Sequence, residues 1–312
     1  MEILSISFRA VFPIFAYMAV GYLLRALKVV DIATLRKMNR VAFLVFLTTK
    51  IFYNVYSADL AAVFAPKLVL FVAVCILVLY FLAFLIVPRI EKEDPNRSVL
   101  IQAIYRSNYA IYGTELAYSV YGNTALELAS GMSAVAVGLY NVLAVTTFEI
   151  FRGRRPKPLD LILRVLRSPL IVAIILGSLV NLSGLRFPEI VDTTIHTFGN
   201  VTTPVMFMIL GGMLQFGDFR KYRKKLITVT AIRMLAVPAV FLTLGVLAGF
   251  RDAELMMLLA VFATPMAIAT FAMASNMGGN AELAGDLIAL TSVVSVVTIF
   301  LWITLLKMLG YM

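Results

Sequence analysis

The chain has 312 residues, 62% hydrophobic and 14% charged, with a formal net charge of +10 and a mean hydropathy of +0.95. Soluble domains run at roughly 45–50% apolar and about 25% charged residues, so a soluble enzyme, a nucleic-acid-binding domain and a disordered chain are excluded. The basic residues sit in short clusters between apolar blocks, where they read as membrane-topology signals rather than as the footprint of a polyanion.

Four blocks, Leu68–Val87, Leu128–Phe148, Leu255–Ala281 and Leu287–Leu306, contain no Asp, Glu, Lys or Arg. Each is long enough to span a hydrocarbon core of ~30 Å as a helix. The pattern predicts an all-α polytopic membrane protein with ten spans, at roughly 8–27, 40–58, 67–88, 99–121, 126–151, 168–185, 192–216, 226–249, 255–278 and 283–308. Glu2 and the late Arg9 precede the first apolar run, and no small-residue cleavage site follows it. The first segment therefore reads as a retained helix. Cys75 is the single cysteine and lies inside an apolar block.

The connections after spans 1, 3, 5, 7 and 9 carry 19 Lys and Arg residues, against 5 on the opposite side. The positive-inside rule then places both termini outside the cytoplasm, in a multi-pass protein of the plasma or inner membrane.

The two halves share punctuation. Pro13 and Gly21 in span 1 match Pro169 and Gly177 in span 6. Thr48-Thr49 matches Thr202-Thr203, and Gly122-Asn123 matches Gly279-Asn280. The offsets are 156, 154 and 157 residues. Five spans is an odd number, so two such halves enter the membrane from opposite sides. Residues 1–151 and 168–312 are thus predicted to be inverted five-helix repeats joined by a basic cytoplasmic connection at 152–167. Many secondary transporters are built on that symmetry.

Sites in such transporters lie near the midplane, where helices lose regular hydrogen bonding. Spans 4 and 9 hold the matching interruptions, Asn108 and Gly113 in one and Pro265 in the other. Half-helix N-termini meeting there would favour an anion.

Met38-Asn39-Arg40-Val41 opening span 2, Asn108 with Gly113 five residues on, and Ala263-Thr264-Pro265 in span 9 resemble the auxin efflux carrier family. That family includes plant PIN-type auxin exporters and bacterial relatives described as malonate or malate permeases. The resemblance covers nearly the whole chain. It implies the crossed-helix fold of bile-acid symporters and sodium/proton antiporters, with spans 1, 2, 6 and 7 as scaffold and spans 3–5 and 8–10 as a mobile transport domain. It also implies organic-anion substrates, an elevator-type shift and room for a homodimer through the scaffold helices. Asn108 matches the family's site asparagine, and Thr48–Ile51 matches the facing part of span 2. The chain departs from the family at Glu115, at Thr270 and at Thr48, each where the family carries proline.

The ionisable residues inside spans are Lys50, Arg106, Glu115, Glu149 and Arg233. A central membrane charge costs upwards of ~2.5 kcal/mol and normally faces a partner or a wet cavity. Glu149 reads as a partner of the cytoplasmic basic cluster. Arg233, seven residues into span 8, reads as a side chain reaching back to the cytoplasmic face. Arg106 reads either that way or as lining the inner vestibule. Lys50 and Glu115 admit two readings: a mutual ion pair, or a lysine that attracts a carboxylate beside a glutamate that couples a proton. Thr48, Thr49, Asn54, Tyr140, Asn141 and Asn276 are either path-lining or helix–helix contacts. The expected substrate-binding set is Asn108, Thr48, Thr49, Lys50, Tyr140, Asn141, Pro265 and Thr270.

An enzyme is not expected. His196 is the only histidine, so no H-E-x-x-H metal site exists, and no cofactor motif is present. The expected partners are a small organic anion and membrane lipid, with no nucleic acid. A sodium- or proton-coupled symporter or antiporter of the same fold, for another solute or a cation, is the alternative.

Overall fold

Inside a bilayer the backbone must satisfy its own N–H and C=O groups, which leaves long apolar runs the helix. The computed structural model describes residues 2–57, 66–109, 112, 116, 120–153, 158–213 and 219–312. Among them every regular element is a helix. Three helical stretches of the described residues are long and apolar enough to cross a membrane, Pro66–Ile90, Lys221–Leu247 and Ala281–Met308. Shorter apolar helices run over Phe15–Ala26, Val135–Ile150 and Pro169–Leu182. Gly113 and Glu115 lie outside the described residues.

Helix α1 is Glu2–Ala26. Next come α2 (Ile32–Val41), a π-helical turn (Ala42–Leu47) and α3 (Thr48–Tyr56), and the second predicted span, 40–58, takes in only the end of α2. Asp31 starts α2 by accepting from the Thr34 amide at 2.7 Å, and that bond lowers its carboxyl pKa. Then come α4 (Pro66–Ile90), α5 (Asp94–Tyr105), α6 (Asn123–Ile150), α7 (Pro158–Leu166), α8 (Pro169–Leu182) and α9 (Glu189–Met213). The chain closes with α10 (Phe219–Ala231), a π turn at Ile232–Ala236, α11 (Val237–Leu247), α12 (Asp252–Phe262), α13 (Ala269–Met277) and α14 (Ala281–Met308).

The second π turn has an identifiable cause. Pro238 has no N–H to give to the carbonyl of Met234, four residues before it. That carbonyl accepts the indole Nε1–H of Trp302 at 3.0 Å instead.

Helices α1, α2–α3, α8 and α9 pack on one another, and α1 also runs against α14. Glycine makes the tightest of these contacts. A Cβ on Gly21 would lie 1.8 Å from the Met208 carbonyl oxygen, and one on Gly211 would lie 2.0 Å from that of Met18. A second group joins α4 to α5 and α6, α11 to α12, and α13 to α14. Its most buried members are α5 and α12. In α12 every residue from Leu255 to Phe262 is fully buried, as suits a helix that is apolar all round.

A polar clamp ties the α4–α5 turn to α10 and to the start of α14. Lys225 Nζ lies 2.5 Å from Glu91, and Arg97 donates to the Glu91 and Pro88 carbonyls. Asn280 caps α14 and donates to Asn96 and Tyr222. Burial raises the Glu91 carboxyl, but Lys225 and the amides of Glu93 and Lys92 outweigh it and leave the group below its ordinary range.

The glycine contact is testable. Gly211→Ala forces α1 and α9 apart, and is expected to cost above about 2 kcal/mol and to lower the melting temperature in detergent. Gly138→Ala, with open space around it, is expected to be neutral or slightly stabilising. A Gly211→Ala protein as stable as wild type would show that the helices are not seated this closely.

Candidate functional site

Two helices stop in the interior and meet there. Helix α5 ends at Tyr105, and Arg106 turns extended at φ −92°, ψ 111°. Helix α12 ends at Phe262, three residues before Pro265. The free segments pair in antiparallel fashion, Ser107 against Met266, and the Asn108 amide donates to the Pro265 carbonyl at 2.8 Å. The Met266 amide finds the Thr291 hydroxyl at 3.2 Å. Helix resumes on both strands: Tyr112 N–H donates to Asn108 O, and α13 begins at Ala269.

The carbonyls freed at the two C-terminal ends converge on Arg233, which is 0% exposed. Its guanidinium donates to Ile104 O (3.1 Å) and Tyr105 O (3.4 Å) at the end of α5. It also donates to Val261 O (3.1 Å) and Thr264 O (3.0 and 3.1 Å) at the end of α12. Each helix C-terminus carries roughly half a negative charge, so two together offset about one cation. The expectation that Arg233 reaches back to the cytoplasmic face is therefore corrected. Carbonyls at the ends of two helices hold the side chain inward.

On the other side of the crossing lies a small, partly open cavity. Lys50, Asn54, Thr202 and Thr203 line it from α3 and α9, and Tyr140 and Asn141 from α6. Arg106, Ser107 and Asn108 enter from the first break, and Ala267, Ile268 and Ala269 from the second. Lys50 Nζ donates to Thr203 Oγ1 at 2.9 Å, and the α9 backbone comes close enough to admit it because residue 199 is glycine. Arg106, 3% exposed, donates to Asn141 Oδ1 at 2.7 Å and to Gln102 Oε1 at 3.2 Å. Tyr140 and Ser107 share a hydroxyl–hydroxyl bond of 3.1 Å. No carboxylate lines the cavity among the described residues. The Asn108 side-chain nitrogen Nδ2 and the Thr202 hydroxyl are buried there with no hydrogen-bond partner among the described residues. Buried polar groups are nearly always paired, so these two mark where a ligand's acceptor or donor could sit.

Of the expected binding residues, Lys50, Asn108, Tyr140 and Asn141 are brought together at this cavity. Thr48 and Thr49 are not among its lining residues; the Thr48 hydroxyl donates to Phe43 O across the first π turn. Pro265 supplies a carbonyl to the crossing, and Thr270 is fully buried with its hydroxyl unpaired, one residue beyond the lining. The proton-coupling candidate Glu115 and the helix-break residue Gly113 fall outside the described residues. Sequence reasoning passed over Ser107, Thr202 and Thr203 as lining residues. The second pair had a signal, since Thr202-Thr203 is the repeat partner of Thr48-Thr49.

A cationic cavity between interrupted helices of an apolar, all-helical chain defines a membrane transport protein. Comparison with known proteins gives the same class. The family described as "Membrane transport protein" matches residues 6–160 and 158–303. An uncharacterized transporter of Methanothermobacter thermautotrophicus is 22% identical over 299 residues, covering 95% of this chain and 97% of the relative. The chain belongs to the matched family, which is the auxin efflux carrier, or PIN-like, family that its sequence resembles.

The Arg233 contacts give a stability prediction. Arg233→Met leaves several carbonyls unsatisfied in the interior, and a loss of more than about 3 kcal/mol is expected in thermal unfolding in detergent. Arg233→Lys should recover part of it. A melting temperature within a degree of wild type for the methionine variant would remove the guanidinium as the brace of the crossing.

Proposed function

We propose that the protein is a secondary transporter of a small organic anion, a carboxylate of the auxin, malonate or malate kind, bound in the cavity beside the helix crossing. The observation that carries the reading is the pairing of two cations, Lys50 and Arg106, with the side-chain nitrogen Nδ2 of Asn108, which has no partner among the described residues. A carboxylate there would accept from a charged donor and from Asn108 while its charge is balanced by Lys50 and Arg106. The N-terminus of α13, which opens at Ala269, adds partial positive charge on the same side. Arg106 already gives bonds to Asn141 and Gln102, whereas Lys50 among the described residues donates to the Thr203 hydroxyl alone, so Lys50 is the cation that turns toward the substrate.

Transport in this reading is an elevator-type movement across the plasma or inner membrane. Ten spans form two inverted five-helix repeats, 1–151 and 168–312, around the connection 152–167, with both termini outside the cytoplasm. The family's two matched segments meet at residues 158–160, inside that connection. Spans 1, 2, 6 and 7 act as scaffold, and provide the face for a homodimer. Spans 3–5 and 8–10 move as the transport domain with the crossing inside them. Thr48, Thr49, Pro265 and Thr270 belong to the site through the conformations visited on that path, and Glu115 is the proton-coupling group. A cation-translocating reading is less favoured, because the lining of the cavity is itself cationic.

Counterflow in proteoliposomes with malonate, malate and indole-acetate, with and without pH and sodium gradients, tests the proposal. Lys50→Met should weaken anion affinity roughly 10–100-fold, the worth of one hydrogen bond to a charged group. Asn108→Ala should lower transport as well. Glu115→Gln should flatten the dependence of transport on pH; an unchanged profile removes Glu115 from coupling. Wild-type affinity in Lys50→Met, or no counterflow of any carboxylate, would sink the anion-carrier reading.

A further inference from the structure

A second cavity lies among the ends of several of the same helices. It is lined by Arg40, Phe43 and Leu44 from α2 and its π turn, by Glu149 and Arg152 from the end of α6, and by Ser275, Asn276 and Met277 from the end of α13. Arg164, Arg167 and Ser168 close it from α7 and the start of α8. Three helices thus line both cavities. Along α2–α3, residues 40, 43 and 44 line this cavity and 47, 50, 51 and 54 line the central one. Helix α13 has Ala269 at the central cavity and Met277 at this one, a separation of about 12 Å along its axis. The lower cavity lies among the chain's basic connections.

Its chemistry is that of an anion site. Four guanidiniums face a single carboxylate. Glu149 engages Arg152 at 3.1 Å and, weakly, Arg164 at 3.9 Å. Arg40 and Arg167 have no carboxylate partner among the described residues. Helix α8 opens on this cavity with Ser168 as its N-cap, yet the serine side chain makes no capping bond. Its hydroxyl has no partner among the described residues and the residue is only 8% exposed, so a buried donor and the start of a 14-residue helix, whose Leu170 and Ile171 amides follow Pro169, border the same cationic space.

We infer that this cavity is an antechamber for the transported carboxylate, a second binding station on the cytoplasmic approach to the site at the helix crossing. The inference rests on the carrier reading above and adds to it a sided role for Arg40, Arg164, Arg167 and Ser168. Anions collected there are concentrated at one end of the α2–α3 segment whose other end carries Lys50, with the apolar Phe43, Leu44 and Leu47 lining the way between the two cations.

Proteoliposomes with protein of sorted orientation test it, with labelled malonate, malate and indole-acetate as probes. Arg164→Gln/Arg167→Gln should raise the half-saturating anion concentration about tenfold on the cytoplasmic face, while the outer-face value and the maximal rate stay as in wild type. Raised salt should shrink the wild-type advantage on that face. Arg164→Lys/Arg167→Lys should restore most of the affinity, and Ser168→Ala should give a smaller rise of the same sidedness. Equal effects on both faces, or none, overturn the antechamber and leave the central site standing. If the sided effect vanishes in vesicles of phosphatidylcholine alone, the arginines serve an anionic lipid headgroup and the antechamber is again overturned. If wild type carries none of the three probes, the carrier reading itself falls, and the antechamber with it.

Discussion

The guanidinium of Arg233 lies against carbonyls from the ends of two helices that stop inside the protein, and the rest of the architecture is arranged around that contact. A helix end in an apolar interior leaves carbonyls without donors, and two such ends side by side repel each other. A group with five planar donors and one charge answers both problems, which a lysine or a water could do only in part. The π turn at Ile232–Ala236 belongs to the same solution. By widening the helix beside Pro238, it sets Arg233 where its donors span both ends. The negative ends are thus taken up on one side of the crossing, and the positive ends are left to face the cavity.

That division bears on how two cations sit together at the centre of an apolar protein. Arg106 is the nearest neighbour of the break, yet its donors go to neutral acceptors, among them Gln102 and Asn141. Lys50 likewise meets the neutral hydroxyl of Thr203. Among the described residues no carboxylate in the lining neutralises either charge, so the cavity walls alone carry an electrostatic cost that a bound anion would relieve. The family to which the chain belongs is one of membrane transport, and under the proposed anion-carrier reading this cost would be the physical reason for the preference.

Much of the helical, membrane-embedded character and the transporter family was legible, because it rests on local signals: uncharged runs of sufficient length, short basic connections, and motifs of three or four residues. Helix ends near Asn108 and Pro265 also follow from residue type, since one caps and the other cannot donate. The partners across the site were not legible. Arg233 meets carbonyls 28 to 129 residues away, and Lys50 meets a hydroxyl 153 residues away. Neither pairing leaves a trace in spacing. Thr48 and Thr49 illustrate a subtler limit. Each extra residue in a π turn rotates the downstream helix by about 100°, so a face counted at ordinary helical period from Arg40 drifts from the real one after Ala42–Leu47.

The bond from Trp302 to the Met234 carbonyl has a practical side. Trp302 is the only tryptophan in the chain, and its indole is fixed to the residue next to Arg233. Intrinsic indole emission therefore comes from one place, the seam between α14 and the π turn that holds the crossing together. The molecule carries its own optical label on the element that braces the site, with no dye or engineered residue needed to watch that seam during a transport cycle.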